Sequence, residues 1–226
     1  LRLAFDARDQ VAGMFFEPHV EPRHDDAEAP GVQIEVTVGD AYTGLPGVLT
    51  LPEGEGPFPA VIVLHGSGPM DRDGTVSANK PYRDLAWGLA ERGVASLRFD
   101  KRSFARPEDL LALGEALTVD HEVIGDAVAA VSLLRSRPEI DAIYLAGHSL
   151  GGTVVPRVAE RTPVDGVIVL AGATRSILDM MLEQTRYIVE LDGNVTACEQ
   201  ESLDEVEQMV STVRAGLNGE RHLAGM

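Results

Sequence analysis

The chain predicts an α/β protein whose mostly parallel sheet carries helices on both faces. Short apolar runs, such as residues 60–64 and 164–170, alternate with stretches of helical periodicity, such as 118–135. Strands that alternate with helices are joined by right-handed crossovers, so they pair in parallel. Residues 60–64 and 167–170 are also continuously apolar rather than alternating, which is typical of strands buried on both faces.

Residues 1–31 are expected to form a hairpin followed by a linker. Two short apolar runs, 1–5 and 11–16, are separated by polar residues and suit two paired strands. Residues 17–31 are rich in Pro, Glu, Asp and His, a composition typical of linkers.

A core domain is predicted over residues 32–175. It begins with a strand at 33–38, where apolar and polar residues alternate with period two as in a half-buried strand, and a second strand at 47–51. The helix at 118–135 is the strongest, because its apolar residues share one face. In chain order the remaining elements are a strand at 60–64, a helix at 82–92, a strand at 94–99, the helix at 118–135, a strand at 143–146, a helix at 153–161 and a strand at 164–170.

The charge balance disfavours one class of partner. The chain has 36 acidic and 19 basic side chains and a net charge of −17, and only Lys80 and Lys101 are lysines. No basic stripe is present to neutralise phosphates, so nucleic-acid binding is not expected. An acidic, lysine-poor surface is interpreted as adaptation to a high-salt cytoplasm. The alternative is an ordinary acidic protein encoded by a GC-rich genome.

Composition also bounds the cellular setting. No apolar stretch approaches the ~18–20 residues of a membrane span. No signal peptide is visible, so a cytoplasmic location is expected, although the chain opens at Leu1 rather than Met. The single cysteine, Cys198, excludes a disulfide within the chain and a cysteine-built metal site. No cofactor or metal is expected.

The most informative motif is Gly147-His148-Ser149-Leu150-Gly151, a match to G-x-S-x-G. It follows a predicted strand and precedes a predicted helix, which is the context of a nucleophile elbow. The chain reverses so sharply there that the serine backbone is strained, and Gly147 and Gly151 leave room where side chains would collide. Ser149 is therefore the candidate nucleophile, and the Leu150 N–H a candidate oxyanion donor. The alternative is a glycine-rich turn with a bystander serine.

A second motif begins with His65-Gly66-Ser67 and follows directly on the strand at 60–64. An acyl-transfer serine enzyme needs two N–H donors aimed at the developing oxyanion. The Ser67 N–H is the candidate for the second donor, with Gly66 in reserve. His65 is interpreted as a brace for this loop rather than as a base. Asp71 and Asp73 are expected to form turns, because no glutamate sits at the ligand spacing of an EF-hand.

Together these motifs resemble the α/β-hydrolase superfamily. More specifically, the chain is similar to bacterial EstD-type carboxylesterases, relatives of the serine aminopeptidase and dienelactone-hydrolase-like groups. The likeness runs from about residue 33 to 190, and residues 12–16 resemble the tail of the extra N-terminal domain that such esterases often carry. The residues that carry it are His65-Gly66-Ser67-Gly68-Pro69, Asp71-Arg72-Asp73, Asn79-Lys80-Pro81-Tyr82, Arg98-Phe99-Asp100-Lys101-Arg102 and Gly147-His148-Ser149-Leu150-Gly151-Gly152.

The resemblance implies hydrolysis of a small carboxylic ester through an acyl-enzyme, with Ser149 as nucleophile. It also implies that the two helical patterns in residues 176–226, at 177–191 and 199–217, begin a cap that is incomplete. Two alternatives stay open: a serine peptidase or amidase of the same fold, and a non-catalytic binding domain. The oligomeric state is not predicted.

The triad acid and base are not expected in this chain. Their order in this superfamily is Ser, then Asp or Glu, then His, and they normally follow two further strands. Here the sheet is predicted to be truncated after its sixth core strand. His222 is interpreted as a bystander and His121 as a surface residue, while Asp179 is the one available substitute acid. The chain is therefore expected to be a fragment that is nearly inactive alone.

Overall fold

A computed structural model describes residues 2–5, 11–15 and 29–224, with side chains for 29–216. The linker predicted at 17–31, including His19 and His24, lies largely outside the described residues, as does the side chain of His222. The chain divides into two compact units, Leu1–Gly172 and Ala173–Met226.

The first unit contains eight strands among its described residues. Near the N-terminus, β1 and β2 pair antiparallel in a sheet of their own. The other six form one mixed sheet in the order β3-β4-β6-β5-β7-β8. The strands are β1 (Arg2–Phe5), β2 (Val11–Phe15), β3 (Val32–Val38), β4 (Leu45–Leu51), β5 (Phe58–Leu64), β6 (Ala95–Phe99), β7 (Ile140–His148) and β8 (Gly166–Leu170).

Strand β4 is antiparallel to both of its neighbours, whereas β6, β5, β7 and β8 are joined by parallel pairing. The α/β class with a mostly parallel sheet, predicted from the sequence, is therefore confirmed. In such a sheet the carboxyl ends of the parallel strands meet at one edge, and ligands bind there. The loops that follow β5, β6 and β7 are consequently neighbours.

Helices cover both faces of this sheet. Alternate residues of β5 divide between the two sides: Val61 and Val63 pack with Tyr82 of one helix, whereas Ile62 and Leu64 belong to a larger cluster. The helices of the first unit are α1 (Pro81–Ala90), α2 (Arg102–Ala105), α3 (Pro107–Leu111), α4 (Gly125–Arg135) and α5 (Leu150–Arg161). The larger cluster is formed with apolar residues of α4 and α5.

The connection from β6 to α4 differs from the sequence prediction. The short helices α2 and α3 and a 3₁₀ turn at Gly114–Ala116 were not predicted. The single helix expected at 118–135 begins instead with a π-helical segment, Asp120–Ile124, before α4. His121 in this segment is exposed, and its Nδ1 lies 3.0 Å from the Thr118 hydroxyl.

Strand β8 lies at the edge of the described sheet, with β7 as its neighbour. Its apolar residues from Val167 to Leu170 are each 42–45% exposed. The burial on both faces that the sequence pattern indicates is therefore not attained among the described residues.

The second unit contains α6 (Ile177–Val189) and α7 (Ala197–Ala224), which pack against each other. Arg186 pairs with Glu207 at 3.0 Å, and Arg214 pairs with Asp179. The carboxylate of Asp179, the substitute acid considered from the sequence, is thus engaged in an ion pair within this unit. Cys198, at the start of α7, is exposed. No helix in the described part of the chain is long and apolar enough to cross a bilayer.

Candidate active site

Ser149 occupies the sharp turn between β7 and α5. Its backbone has φ 52° and ψ −112°, a conformation that L-residues other than glycine rarely adopt and that costs on the order of 1–3 kcal/mol. Two backbone bonds hold this turn: the Ser149 N–H donates to Leu170 at 2.8 Å, and the Thr153 N–H donates to Ser149 at 2.9 Å. Ser149 is half-buried.

Glycines make this turn possible because backbone atoms pack where side chains would stand. A Cβ on Gly151 would lie 2.5 Å from the carbonyl oxygen of Leu64 and 2.7 Å from that of His65. A Cβ on Gly147 would lie 2.4 Å from the backbone of Gly151. The turn is thus pressed against the end of β5, where the Gly151 N–H donates to the His65 carbonyl at 3.0 Å.

The loop after β5 lies beside the serine. A Cβ placed on Gly66 would be 3.4 Å from Cβ of Ser149, so these two residues are in close contact. Ser67 is exposed. The Leu150 N–H is at the first position of α5, where backbone donors have no partner within the helix and the helix dipole favours negative charge. The structure therefore places Gly66 of the second motif against Ser149 of the first.

Tyr82 of α1 links the two motifs, and sequence reasoning did not assign it a role. Its hydroxyl lies 3.0 Å from Nδ1 of His148, and the Gly66 N–H donates to it at 3.4 Å, a long bond. Because the phenol oxygen accepts from Gly66, its proton is available to His148. Burial raises the pKa of Tyr82. The Gly66 N–H, the reserve oxyanion donor, is thus directed at Tyr82.

His65 is buried at the start of this loop. Its Nε2 lies 3.2 Å from the carbonyl oxygen of Asp71, and the rings of Tyr82 and Phe99 pack edge-on against it at 5.4 and 5.7 Å. Burial lowers the pKa of His65 to about 4, so the ring is neutral at pH 7. A carbonyl oxygen only accepts, so Nε2 carries the proton and donates it. His65 thereby ties the start of the loop to its later part.

Charged side chains fix the later part of the loop. The Asp100 carboxylate accepts from the Arg72 N–H at 2.8 Å and from Arg72 Nε at 3.1 Å, and Arg98 pairs with Asp73. Burial lowers the pKa of Arg98, an effect that Asp73 opposes. Asp71 accepts from the Thr75 N–H at 2.9 Å, which closes a turn. These contacts connect the loop to residues at the end of β6.

The three histidines whose side chains are described do not converge on Ser149. His65 is directed at Asp71, His148 at Tyr82 and His121 at Thr118. Among the described side chains of the first unit, residues 29–172, no imidazole or carboxylate forms a hydrogen bond with the Ser149 hydroxyl.

These features define a class of protein. A parallel sheet with one antiparallel strand, a strained serine between strand and helix, and a glycine-containing loop beside it are the elements of the α/β-hydrolase fold. The model of the family described as serine aminopeptidase, S33, matches residues 59–197, more than half of the chain, and the chain belongs to this family. The resemblance expected from the motifs is thus confirmed.

The chain is also similar to individual known proteins. The chain is 37% identical over 207 residues to Esterase EstD of Thermotoga maritima, and the match covers 92% of this chain but 49% of that esterase. The chain therefore spans about half the length of this relative. An esterase of Pyrococcus furiosus is similar in fold, with a TM-score of 0.51, 20% identity and coverage of 71% of this chain and 57% of the other. A serine hydrolase without lid from Xanthomonas campestris is 26% identical, covering 61% of this chain and 60% of the other, with a TM-score of 0.45.

Proposed function

We propose that this chain supplies the nucleophile and the oxyanion site of a serine carboxylic-ester hydrolase. Ser149 Oγ attacks the ester carbonyl, the alcohol leaves, and water then releases the acyl group from the serine. The observation that carries the proposal is the left-handed backbone of Ser149 at the N-terminus of α5, beside Gly66. Family membership and 37% identity to an esterase support the reaction class.

The oxyanion is proposed to rest on the N–H groups of Leu150 and Ser67. Leu150 is favoured by its place at the first position of a helix. Ser67 is favoured over Gly66, because the Gly66 N–H donates to Tyr82. Two such donors stabilise the charge that develops in the transition state, and the loss of one typically costs ~2.7–4 kcal/mol in the barrier.

The proton acceptor is proposed to be a histidine outside the described side chains. His65 is neutral and donates to Asp71, and His148 is directed at Tyr82. Neither makes a hydrogen bond with the Ser149 hydroxyl. In this superfamily the histidine is itself oriented by an Asp or Glu, and Asp179 is paired with Arg214.

The test is ester turnover by the full-length natural protein. Ser149→Ala is expected to lower kcat for p-nitrophenyl butyrate by about 10⁴–10⁶. The matched control is Ser136→Ala, which removes an exposed hydroxyl bonded to Leu133 and is expected to leave kcat unchanged. A fluorophosphonate is expected to label Ser149. Turnover that survives Ser149→Ala contradicts the proposal, and failure of the reagent to label an intact protein favours a binding domain.

A serine peptidase is the second candidate, favoured by the description of the matched family. Esters and amides share the acyl-enzyme route, so the preferred leaving group and the amino terminus of the substrate distinguish the two. A higher kcat/KM for an aminoacyl p-nitroanilide than for p-nitrophenyl butyrate would favour the peptidase. The reverse order is expected here.

A further inference from the structure

The ammonium of Lys101 is buried against the loop that follows β5. Lys101 lies two residues beyond the end of β6, and its side chain is 3% exposed. Its Nζ donates to the carbonyl oxygens of Gly66 at 2.9 Å and Gly68 at 3.1 Å. Its backbone N–H donates to the carbonyl of Met70 at 3.0 Å. One residue therefore contacts three carbonyls within five residues of the loop.

The charge of this lysine is compensated within the same unit. Glu122, in the π-helical segment Asp120–Ile124, pairs with Lys101 Nζ at 2.7 Å. A buried ammonium requires a partner, because lysine is almost never fully buried unless it is paired. The carboxylate and the two carbonyls together supply an acceptor for each of the three ammonium protons.

The contact with Gly66 also sets the direction of the next N–H. The Gly66 carbonyl and the Ser67 N–H belong to one trans peptide, so they point in opposite directions. Once the Gly66 oxygen faces Lys101, the Ser67 N–H must face away from it. Glycine on one side of this peptide makes rotation of the peptide plane easy, so its orientation depends on an external contact.

We propose that Lys101 is a positioning residue for the second oxyanion donor. It fixes the plane of the peptide between Gly66 and Ser67, so that the Ser67 N–H is available to the oxyanion on the ester carbonyl. This inference rests on the proposed function of Ser149. Lys101 touches neither substrate nor serine, and it acts through the loop alone.

A positioning role and a merely structural role predict different kinetics. If Lys101 only stabilised the fold, its loss would lower the folded fraction and leave kcat per folded molecule unchanged. If it orients an oxyanion donor, its loss lowers kcat and leaves KM nearly constant, because the interaction is made in the transition state. Affinity for an alkyl trifluoromethyl ketone, which forms a tetrahedral oxyanion on the serine, then falls in parallel with kcat.

The experiment compares Lys101→Met with Lys80→Met in the full-length natural protein. The two residues are the only lysines of the chain, and Lys80 is 35% exposed in its side chain and lies 3.8 Å from the Asp73 carboxylate. Lys101→Met is expected to lower kcat for p-nitrophenyl butyrate about 100-fold, the effect of one lost oxyanion donor. The expected change in KM is under about threefold, and Lys80→Met is expected to keep both constants.

A second variant keeps the inference testable if Lys101→Met does not fold. Glu122→Gln retains the ammonium but removes its carboxylate partner, and it is expected to lower kcat about 10-fold, with weaker trifluoromethyl ketone binding. Unchanged kcat in folded Lys101→Met, or in Glu122→Gln where the former fails to fold, overturns the inference. If Ser149→Ala also leaves turnover intact, the proposed function itself has failed. If Ser149→Ala abolishes turnover while the Lys101 or Glu122 variant keeps kcat, only the role of Lys101 is wrong.

Discussion

The two halves of the candidate site are held in place by different forces. The elbow around Ser149 is shaped by backbone packing, with Gly147 and Gly151 at positions where a Cβ would lie 2.4–2.5 Å from other backbone atoms. The loop from His65 to Asp73 is instead held by polar and charged contacts, three of them to Arg98, Asp100 and Lys101. The first half depends on steric clearance and the second on buried charge.

This difference predicts how each half responds to change. Steric overlap between backbone atoms is insensitive to pH and salt, and interiors yield little to added volume. Buried hydrogen bonds and ion pairs depend on protonation, because a group whose pKa differs between the folded and unfolded states makes stability depend on pH. Substitutions in the elbow should therefore cause constant losses of stability, and substitutions in the loop should cause losses that vary with pH.

The largest effect is expected for Gly151→Ala. The added methyl would lie 2.5 Å from the Leu64 carbonyl oxygen and 2.7 Å from that of His65, and neither backbone atom can move without disturbing the end of β5. Overpacking of a well-packed region costs typically 1–3 kcal/mol and occasionally more, so we expect a loss of about 3 kcal/mol in the free energy of unfolding. Urea unfolding at pH 7 measures it.

Gly88→Ala is the matched control. Gly88 lies in α1, where a Cβ would find Arg92 Nη1 at 3.7 Å, an ordinary contact. Alanine is a better helix former than glycine, so this variant is expected to gain up to about 1 kcal/mol. Equal stability of Gly151→Ala and the natural protein would disprove the steric account of the elbow.

The same contrast explains how much the sequence could predict. The elbow is encoded largely locally, since five consecutive residues from the end of β7 into α5 include both glycines that the turn requires, and the parallel part of the sheet follows from the alternation of strands and helices. The contacts of Tyr82 and Lys101 with Gly66 could not be predicted, because they depend on which strands become neighbours. The π-helical segment was not predicted either, because its apolar face has the periodicity of the α-helix that follows.

The expectations drawn from composition are less specific than those drawn from these motifs. The net charge of −17 predicts tolerance of high salt, but no contact among the described residues tests it, and it stays a prediction. The missing triad partners likewise stay a prediction, since the side chain of His222 is outside the described residues.

A loss of stability of intermediate size is expected on acidification, because the loop contains the buried His65. The pKa of His65 is lowered from 6.5 to about 4 by burial, so the unfolded chain binds the proton more tightly than the folded chain. Stability is therefore fully present above pH 6.5 and is lost as the pH falls toward 4. Between pH 7 and pH 5 this group alone should lower the free energy of unfolding by about 2 kcal/mol.

The measurement compares urea unfolding at pH 7 and pH 5 for three proteins. His65→Gln is expected to be less stable at pH 7 but to lose about 2 kcal/mol less on acidification than the natural protein. His121→Gln replaces an exposed histidine and is expected to keep the natural pH dependence. If His65→Gln and the natural protein lose the same stability on acidification, His65 is not the neutral brace inferred from its burial.

The smallest loss of stability is expected for a substitution of Tyr82, the residue that joins the two halves of the site. Tyr82→Phe keeps the ring that packs against Val61 and Val63 but removes the hydroxyl between Gly66 and His148. A buried N–H then loses its acceptor, so we expect a loss of about 1 kcal/mol, near the low end for an unsatisfied group because the bond is long.

Tyr144→Phe is the control for this last prediction. Tyr144, on β7, is half-buried and packs against the same cluster as Tyr82, but its hydroxyl makes no hydrogen bond among the side chains of residues 29–216. It is expected to change stability by less than about 0.5 kcal/mol. The difference between the two variants isolates the hydroxyl from the ring. If that difference is zero, the Tyr82 hydroxyl does not couple the elbow to the loop, and packing and the backbone bond from Gly151 to His65 join the two halves.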